Sequence, residues 1–283
     1  MEYQKIITNR TRKRVLDDDK EIEIIKLYES GLSTRKIAIM FGVGKSSISP
    51  VLNAYGIKAK TTGNAYCLRK YSFDQFFFEN IDDEYKAYWL GFLGADGHLM
   101  ENEGVQLGLC TKDKAHIELF LTHIKSTHPI KDKEDKRGCF LSTVSLYSKI
   151  TAQNLYDLGF RKDKSKTHIY PEIKEEYHRH HIRGLFDGDG CVFAQYRRNG
   201  MQPSVGFSGT LETVTEIANI LNKYLGTNIP KIQIGNNNFA VVSYGGGKQC
   251  VKILDWMYKD CNVKLERKYN IYLNILEYRK KYE

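Results

Sequence analysis

The 283-residue chain contains no run of about 18 apolar residues, so no segment is long enough to cross a bilayer as a helix. Its amino terminus, MEYQKIITNRTRKR, lacks the apolar stretch of a signal peptide. No two of the six cysteines (Cys67, Cys110, Cys139, Cys191, Cys250, Cys261) stand at CxxC spacing, which removes the usual signature of a zinc site or a disulfide framework. These absences predict a soluble, intracellular protein with no membrane partner and mostly buried thiols. Acidic charge is also in short supply. Asp and Glu number 34 against 43 Lys and Arg, and the net charge of +9 biases the partner toward a polyanion. With 41% hydrophobic and 12% aromatic residues, the chain has the composition of a globular protein of one large or two to three small domains.

What is present is a repeat. The stretch Tyr88-Trp89-Leu90-Gly91-Phe92-Leu93-Gly94-Ala95-Asp96-Gly97 returns as Ile182-Arg183-Gly184-Leu185-Phe186-Asp187-Gly188-Asp189-Gly190, which puts Asp96 and Asp189 93 residues apart. That distance suits a duplicated half-domain. Tyr85, Tyr88, Trp89, Phe92 and Leu93 recur at three- and four-residue spacing, predicting a helix that ends at Asp96-Gly97. Gly91 and Gly94 in the first copy, and Gly184 and Gly188 in the second, remove side chains from one face and permit two backbones to approach closely. The two carboxylates are then expected side by side at the helix ends.

The order of elements repeats too. Val105, Leu107 and Leu109 alternate with Gln106, Gly108 and Cys110 as a strand, followed by a helix from about Asp113 to Ser126. Strand candidates lie near residues 129–133 and 139–147, and a helix stops at Gly159. The second copy has strands near 191–197 and 204–210, a helix over 212–225, strands near 229–235 and 238–244, and helices to the end. Each half reads as αββαββα, an α+β arrangement.

Ahead of it, residues 1–60 carry a basic arm (Arg10, Arg12, Lys13, Arg14) and three short helical patterns. The first follows the Asp17-Asp18-Asp19 cluster with Ile22 and Ile25 on its apolar face, and the second is capped by Ser33. The third starts near Lys45 with Ile48, Val51, Leu52 and Tyr55 inward, although Pro50 predicts a later start or a kink. The words LSTRKIAIMFGVGKSSI resemble the helix-turn-helix of resolvases and transposases. That resemblance implies Lys45, Ser46, Ser47 and Ser49 as major-groove readers, with the arm entering a minor groove or simply solvated; a plain three-helix packing unit is the alternative. Gly44-Lys45-Ser46 is no phosphate-binding loop, since the required upstream glycine is Ile39. Residues 61–80 read as a linker, leaving halves at 81–170 and 171–283.

From about Asp82 to the end, WLGFLGADG and IRGLFDGDG resemble the LAGLIDADG homing endonucleases in their single-chain, two-motif form. The resemblance implies a pseudo-symmetric fold, a monomer with an internal pseudo-two-fold axis, double-stranded DNA as partner and double-strand cleavage with Mg²⁺ as cofactor, other divalent cations substituting or inhibiting. It carries metal binding onto Asp96 and Asp189, with Ala95 and Gly188 beside them, and catalysis onto the same two Asp residues. LGFRKDKSKTHIYPEI and LERKYNIYL resemble the family's late basic stretches. They point to Lys164, with Lys166 as second reading, and to Lys268 with Arg267. Gly94 against Asp187, two residues before each metal-binding Asp, implies unequal metal sites. Candidate DNA contacts on the strands are Gln106, Thr143, Ser145, Gln195, Arg197, Lys231 and Gln233. A cleavage-deficient regulator and an intron RNA maturase on the same fold are the rival readings; an intein-borne nuclease is disfavoured by the missing splice-junction residues.

Two other constellations carry simpler expectations. His178, His180 and His181 have no cysteine or carboxylate at ligand spacing and read as solvated or phosphate-facing. Gly245-Gly246-Gly247-Lys248 reads as a strand-helix turn, or as a phosphate cradle.

Overall fold

The structure, a computed structural model, describes residues 16–57, 70–101, 103–134, 138–198 and 200–282. The basic arm and Cys67 therefore lie outside the described residues. The chain divides into two compact units, one reaching Lys70 and one starting at Tyr71.

The first unit has three helices, α1 (Asp18–Glu29), α2 (Thr34–Met40) and α3 (Lys45–Ala54). Asp17 starts α1 by accepting from the Lys20 amide at 2.9 Å, and Ser33 starts α2 by accepting from the Lys36 amide at 3.3 Å. The turn into α3 bends at Gly42, whose φ of 63° suits glycine. The core is Ile24, Ile25, Ile37, Ile48, Val51 and Leu52. Ile22, expected inward, is only half-buried, and Ile24 takes its place because the buried stripe of α1 runs through Glu21, Ile24, Ile25 and Tyr28. Helix α3 begins at Lys45 and continues through Pro50, so the later start expected from that proline is overturned.

The second unit holds α4 (Glu84–Asp96), β1 (Gly97–Met100), β2 (Gly104–Cys110), α5 (Lys114–His123), β3 (Lys131–Glu134), β4 (Phe140–Tyr147), α6 (Lys149–Asp157) and α7 (Lys164–Thr167), followed by α8 (His178–Asp189), β5 (Cys191–Arg197), β6 (Gly200–Thr210), α9 (Leu211–Leu225), β7 (Gln233–Ile234), β8 (Phe239–Gly245), α10 (Gly247–Tyr258) and α11 (Glu266–Tyr282). The strands form two four-stranded antiparallel sheets with matching order, β1-β2-β4-β3 and β5-β6-β8-β7. The stretch expected as a linker divides at Lys70. Beyond it the Asp74 amide donates to the Ile124 carbonyl at 2.8 Å, and Phe77 and Phe78 are buried in the first half's core. Strand β7, at Gln233–Ile234, is shorter than the expected 229–235; Pro230, which has no amide to give a ladder, lies ahead of it.

Helices α4 and α8 cross with their backbones nearly in contact. A Cβ on Gly91 would stand 2.1 Å from the His181 carbonyl oxygen, and one on Gly184 would stand 2.1 Å from that of Tyr88. Those obstacles are main chain and cannot swing away, so Gly184→Val is expected to cost about 3 kcal/mol or more. Urea denaturation checks this, and an unchanged midpoint would contradict the close packing.

Candidate active site

Because the motif helices cross at their glycines, their carboxyl ends meet. A Cβ on Gly188 would lie 2.2 Å from the Ala95 Cβ and 3.1 Å from Asp96 Oδ2, so the Asp96 carboxylate reaches across to the end of α8. Gly94 faces side chains instead: its Cβ would be 3.1 Å from His168 Nε2 and 3.1 Å from Leu185 Cδ2. Asp96 is half-buried and Asp189 exposed. Burial first, then the negative charge of Asp189, raises the Asp96 carboxyl from 3.8 to about 6. Lys164, Lys268 and Arg267 pull it the other way.

The two lysines answer a second local need. The last carbonyls of a helix have no intrahelical donor and stand at the negative end of its dipole. Lys164 Nζ donates to the carbonyls of Gly94 at 3.2 Å and Leu93 at 3.4 Å, and also to that of Ala95, at the end of α4. Lys268 Nζ does the same for α8, donating to Phe186 at 2.5 Å, Gly190 at 2.5 Å and Gly188 at 3.1 Å. Burial lowers each amine from 10.5 to about 8, against the pull of the nearby carboxylates. Of the alternatives, Lys166 is exposed on the surface, and Arg267 donates through Nε to Asp113 at 3.0 Å.

These shifts fix the sign of the pH dependence. Between about 4 and 6 the folded chain keeps a proton on Asp96 that the unfolded chain has lost, so this group's stabilisation is present at low pH and lost as pH rises through that window. Between about 8 and 10.5 the unfolded chain holds protons on Lys164 and Lys268 that the folded chain has released, so stability rises with pH there. Urea titrations across both windows, with the slopes lost in Asp96→Asn and in Lys164→Met respectively, check the assignment.

The expectations for the histidines and thiols are corrected at this junction. Asp187 stands apart from the pair at the helix ends. It is fully buried and accepts from Tyr88 Oη at 2.8 Å, Tyr258 Oη at 2.5 Å and the Leu265 amide at 2.7 Å, so its difference from Gly94 serves the packing between halves. Burial raises its pKa even so. Of the three histidines only His181 is buried; His180 and His178 are half-buried, His180 facing Arg183 at 3.1 Å and His178 pairing with Tyr170 Oη at 3.0 Å. The thiols are not mostly buried either: Cys250 is, Cys191 and Cys261 are half-buried, and Cys110 and Cys139 are exposed. Gly246, with φ of 91°, makes the strand-helix turn. Arg183, unremarked in the sequence, is a fully buried tie between the halves. Its only signal was a basic residue inside the repeated motif, where the first copy has Leu90.

The strand candidates fall on one face of each sheet, except Lys231, which precedes β7 and lies in no strand. In the first, Val144 and Leu146 point to the core while Thr143 and Ser145 alternate outward, and Gln106 pairs across from Ser145. In the second, Gln195, Lys231 and Gln233 are exposed, and the Arg197 side chain lies outside the described residues. In the first unit Ser46 is exposed and Ser47 and Ser49 are half-buried on α3; the Lys45 side chain lies outside the described residues. Among the described residues no three His, Cys, Asp or Glu gather as a metal cluster, and no helix is long and apolar enough to cross a membrane.

No protein-family model matches the chain, and no curated protein matches it. Among solved structures it is similar to full-length DUF199/WhiA from Thermatoga maritima, at 14% identity and a TM-score of 0.45 over 72% of this chain, which spans 65% of that one. It is similar to the LAGLIDADG meganuclease I-AabMI bound to uncleaved DNA, at 12% identity and a TM-score of 0.47, covering 71% of this chain and 92% of that one. The I-LtrWI LAGLIDADG homing endonuclease bound to target DNA is likewise similar, at 12% identity and a TM-score of 0.46 over 70% and 91% of the two chains.

Proposed function

We propose that the chain is a site-specific, divalent-metal-dependent DNA endonuclease of the LAGLIDADG type, with an amino-terminal DNA-reading module. The observation that carries this reading is the pairing of Asp96 with a second carboxylate at the meeting of two helix ends, strongly enough that the Asp189 charge helps raise the Asp96 carboxyl to about 6. Like charges held together in a part-buried site are costly unless a cation joins them. The donor set fits Mg²⁺ through its two carboxylates, both hard oxygen; the neighbouring carbonyls of Ala95 and Gly188 already accept from Lys164 and Lys268. Mg²⁺ bound there would supply Lewis-acid stabilisation and a nucleophilic water.

The chain's own residues do the rest. Asp96 and Asp189 each serve one strand. Lys164 and Lys268 bring positive charge beside each carboxylate, where charge develops on the phosphate. The outward sheet faces lie along the major groove, with Gln106, Thr143, Ser145, Gln195, Arg197, Lys231 and Gln233 toward base edges and phosphates. Metal affinity is expected to rise as pH passes about 6 and Asp96 gives up its proton.

A cleavage-deficient DNA-binding regulator is the second reading. It draws on the fact that both lysines already donate to helix-end carbonyls, a role a non-cutting protein also needs. Incubation with a randomised plasmid library, with and without Mg²⁺, separates the two. Metal-dependent cutting supports the nuclease, and binding without any cutting supports the regulator. Deleting residues 1–60 is expected to lower affinity about tenfold or more while turnover on saturating DNA stays within about twofold. An unchanged binding footprint would remove the DNA-reading role of α3.

A further inference from the structure

Lys164 and Lys268 cap matching helix ends, but the chain delivers them differently. Lys268 lies in the first turn of α11 and is reached through the loop 259–265. Side chains of both motif helices hold that loop. From α8, Arg179 donates to the Lys259 carbonyl, Arg183 Nε donates to the Val263 carbonyl at 3.0 Å, and Asp187 accepts from the Leu265 amide at 2.7 Å. From α4, Glu84 accepts from the Asn262 amide and from Asn262 Nδ2, each at 2.8 Å. Leu265 is the last link, since its carbonyl accepts from the Lys268 amide at 3.0 Å. Asp187 thus fixes the turn from which Lys268 Nζ reaches the carbonyls of Phe186, Gly188 and Gly190.

Lys164 arrives by a looser route. It opens α7, a helix of four residues with no side-chain cap. Among the described residues, the segment 158–163 ahead of it makes no hydrogen bond with a side chain of α4 or α8. Its backbone bonds locally instead: the Phe160 amide donates to the Leu155 carbonyl at 2.9 Å, and the Asp163 carbonyl accepts from the Lys166 amide at 2.8 Å. The residue matching Asp187 in this half is Gly94. A Cβ there would stand 3.1 Å from His168 Nε2, so a carboxylate would have to displace that ring.

We infer that the second centre is the preorganised one: Asp187 and Glu84 are positioning residues that hold Lys268 in place for the strand served by Asp189, so that strand is cut first and a nicked duplex precedes the double-strand break. The inference rests on the nuclease reading proposed above. Each cut is a hydrolysis. A water oxygen bonds to phosphorus, and the sugar oxygen leaves with the bonding pair and takes up a proton as the water gives one up. Negative charge grows on the phosphoryl oxygens, and an ammonium already in position stabilises it without reorganising. Both lysines bring the same charge, so the difference in rate lies in placement, where an error of about 1 Å costs on the order of a hundredfold.

A duplex recovered from the cleavage screen, labelled separately on each strand and incubated with saturating full-length protein and Mg²⁺, gives the two rates. Lys268→Met identifies the strand of the second centre as the one it slows. The unsubstituted protein is expected to cut that strand about tenfold faster than the other. Asp187→Asn slows it by about tenfold and leaves the other strand within about twofold, so the order of cutting is lost. A loss of folded protein would lower both strands together, and the ratio of the two rates therefore separates positioning from stability. Asn262→Ala, at an exposed position, removes one tie to Glu84 and slows the same strand about threefold in a protein whose urea midpoint barely moves. Equal strand rates in the unsubstituted protein, the other strand cut first, or equal slowing of both strands by Lys268→Met or Asp187→Asn overturns the inference and leaves the nuclease reading intact. Failure to cut any duplex removes the nuclease reading and the inference with it.

Discussion

Asp96→Asn and Asp189→Asn are each expected to lower the rate of double-strand cleavage by about a thousandfold, the several kcal/mol that a bound divalent ion contributes at a developing charge. Duplex affinity should stay within about threefold, because asparagine keeps the shape of the side chain. A second signature separates a functional pair from ordinary packing. Burial and the Asp189 charge raise the Asp96 carboxyl to about 6, so at pH 7 the folded protein carries a charge it would rather not hold. Removing that charge is expected to raise stability by about 1–3 kcal/mol in the metal-free protein. Cleavage of a selected substrate with Mg²⁺ and urea denaturation in EDTA measure the two effects. Loss of activity with a gain in stability identifies a site that accepts instability for chemistry. Metal-dependent cutting that survives both substitutions would refute the assignment, and a fall in stability would show that Asp96 serves the fold.

What could be read in the sequence was local or repeated. The motif helices were legible because apolar residues recur at helical spacing and the glycines fall at matched places, and glycine at a crossing has a steric consequence that needs no coordinates. The outward set of Gln106, Thr143 and Ser145 followed from alternation with period two, which a buried inner face enforces. Strand β1, by contrast, spans only Gly97–Met100, too few residues to show a period. Lys164 and Lys268 could be named only through resemblance to a family, since nothing around them announces that they cap helix ends elsewhere in the chain. The polar tie between the halves was invisible for the same reason. Asp187 meets Tyr88 across 99 residues and Tyr258 across 71. The entry of α8, rich in histidine and arginine, looked like a wet surface; its first turn is half-buried, but the fold encloses His181 and Arg183, and Arg179 and Arg183 donate to carbonyls on distant loops.

That enclosure makes Arg183→Met the substitution with the largest expected effect on stability, a loss of about 3–5 kcal/mol, which is what breaking a buried charge pair from one side costs. Arg183 is fully buried. Its Nε donates to the Val263 carbonyl at 3.0 Å, its Nη1 to the Met257 carbonyl at 2.8 Å, and its Nη2 to Glu84 Oε1 at 2.6 Å. Burial tends to raise the Glu84 carboxyl, but bonds from Asn262 and the Arg183 charge hold it below the usual range. Methionine keeps most of the volume and gives back none of these donors, so a partly buried carboxylate and two carbonyls lose a partner. The urea midpoint should drop with the slope unchanged. Arg183→Lys should not rescue it, because one ammonium cannot reproduce the planar fork. Pairing Arg183→Met with Glu84→Gln tests the cause. If the charge pair is what fails, the double variant loses clearly less than the sum of the singles; strict additivity would assign the loss to the Val263 and Met257 carbonyls instead. Glu84 opens the first motif helix and Arg183 lies within the second, so this coupling also measures how firmly the two carboxyl ends, and with them Asp96 and Asp189, are held in register.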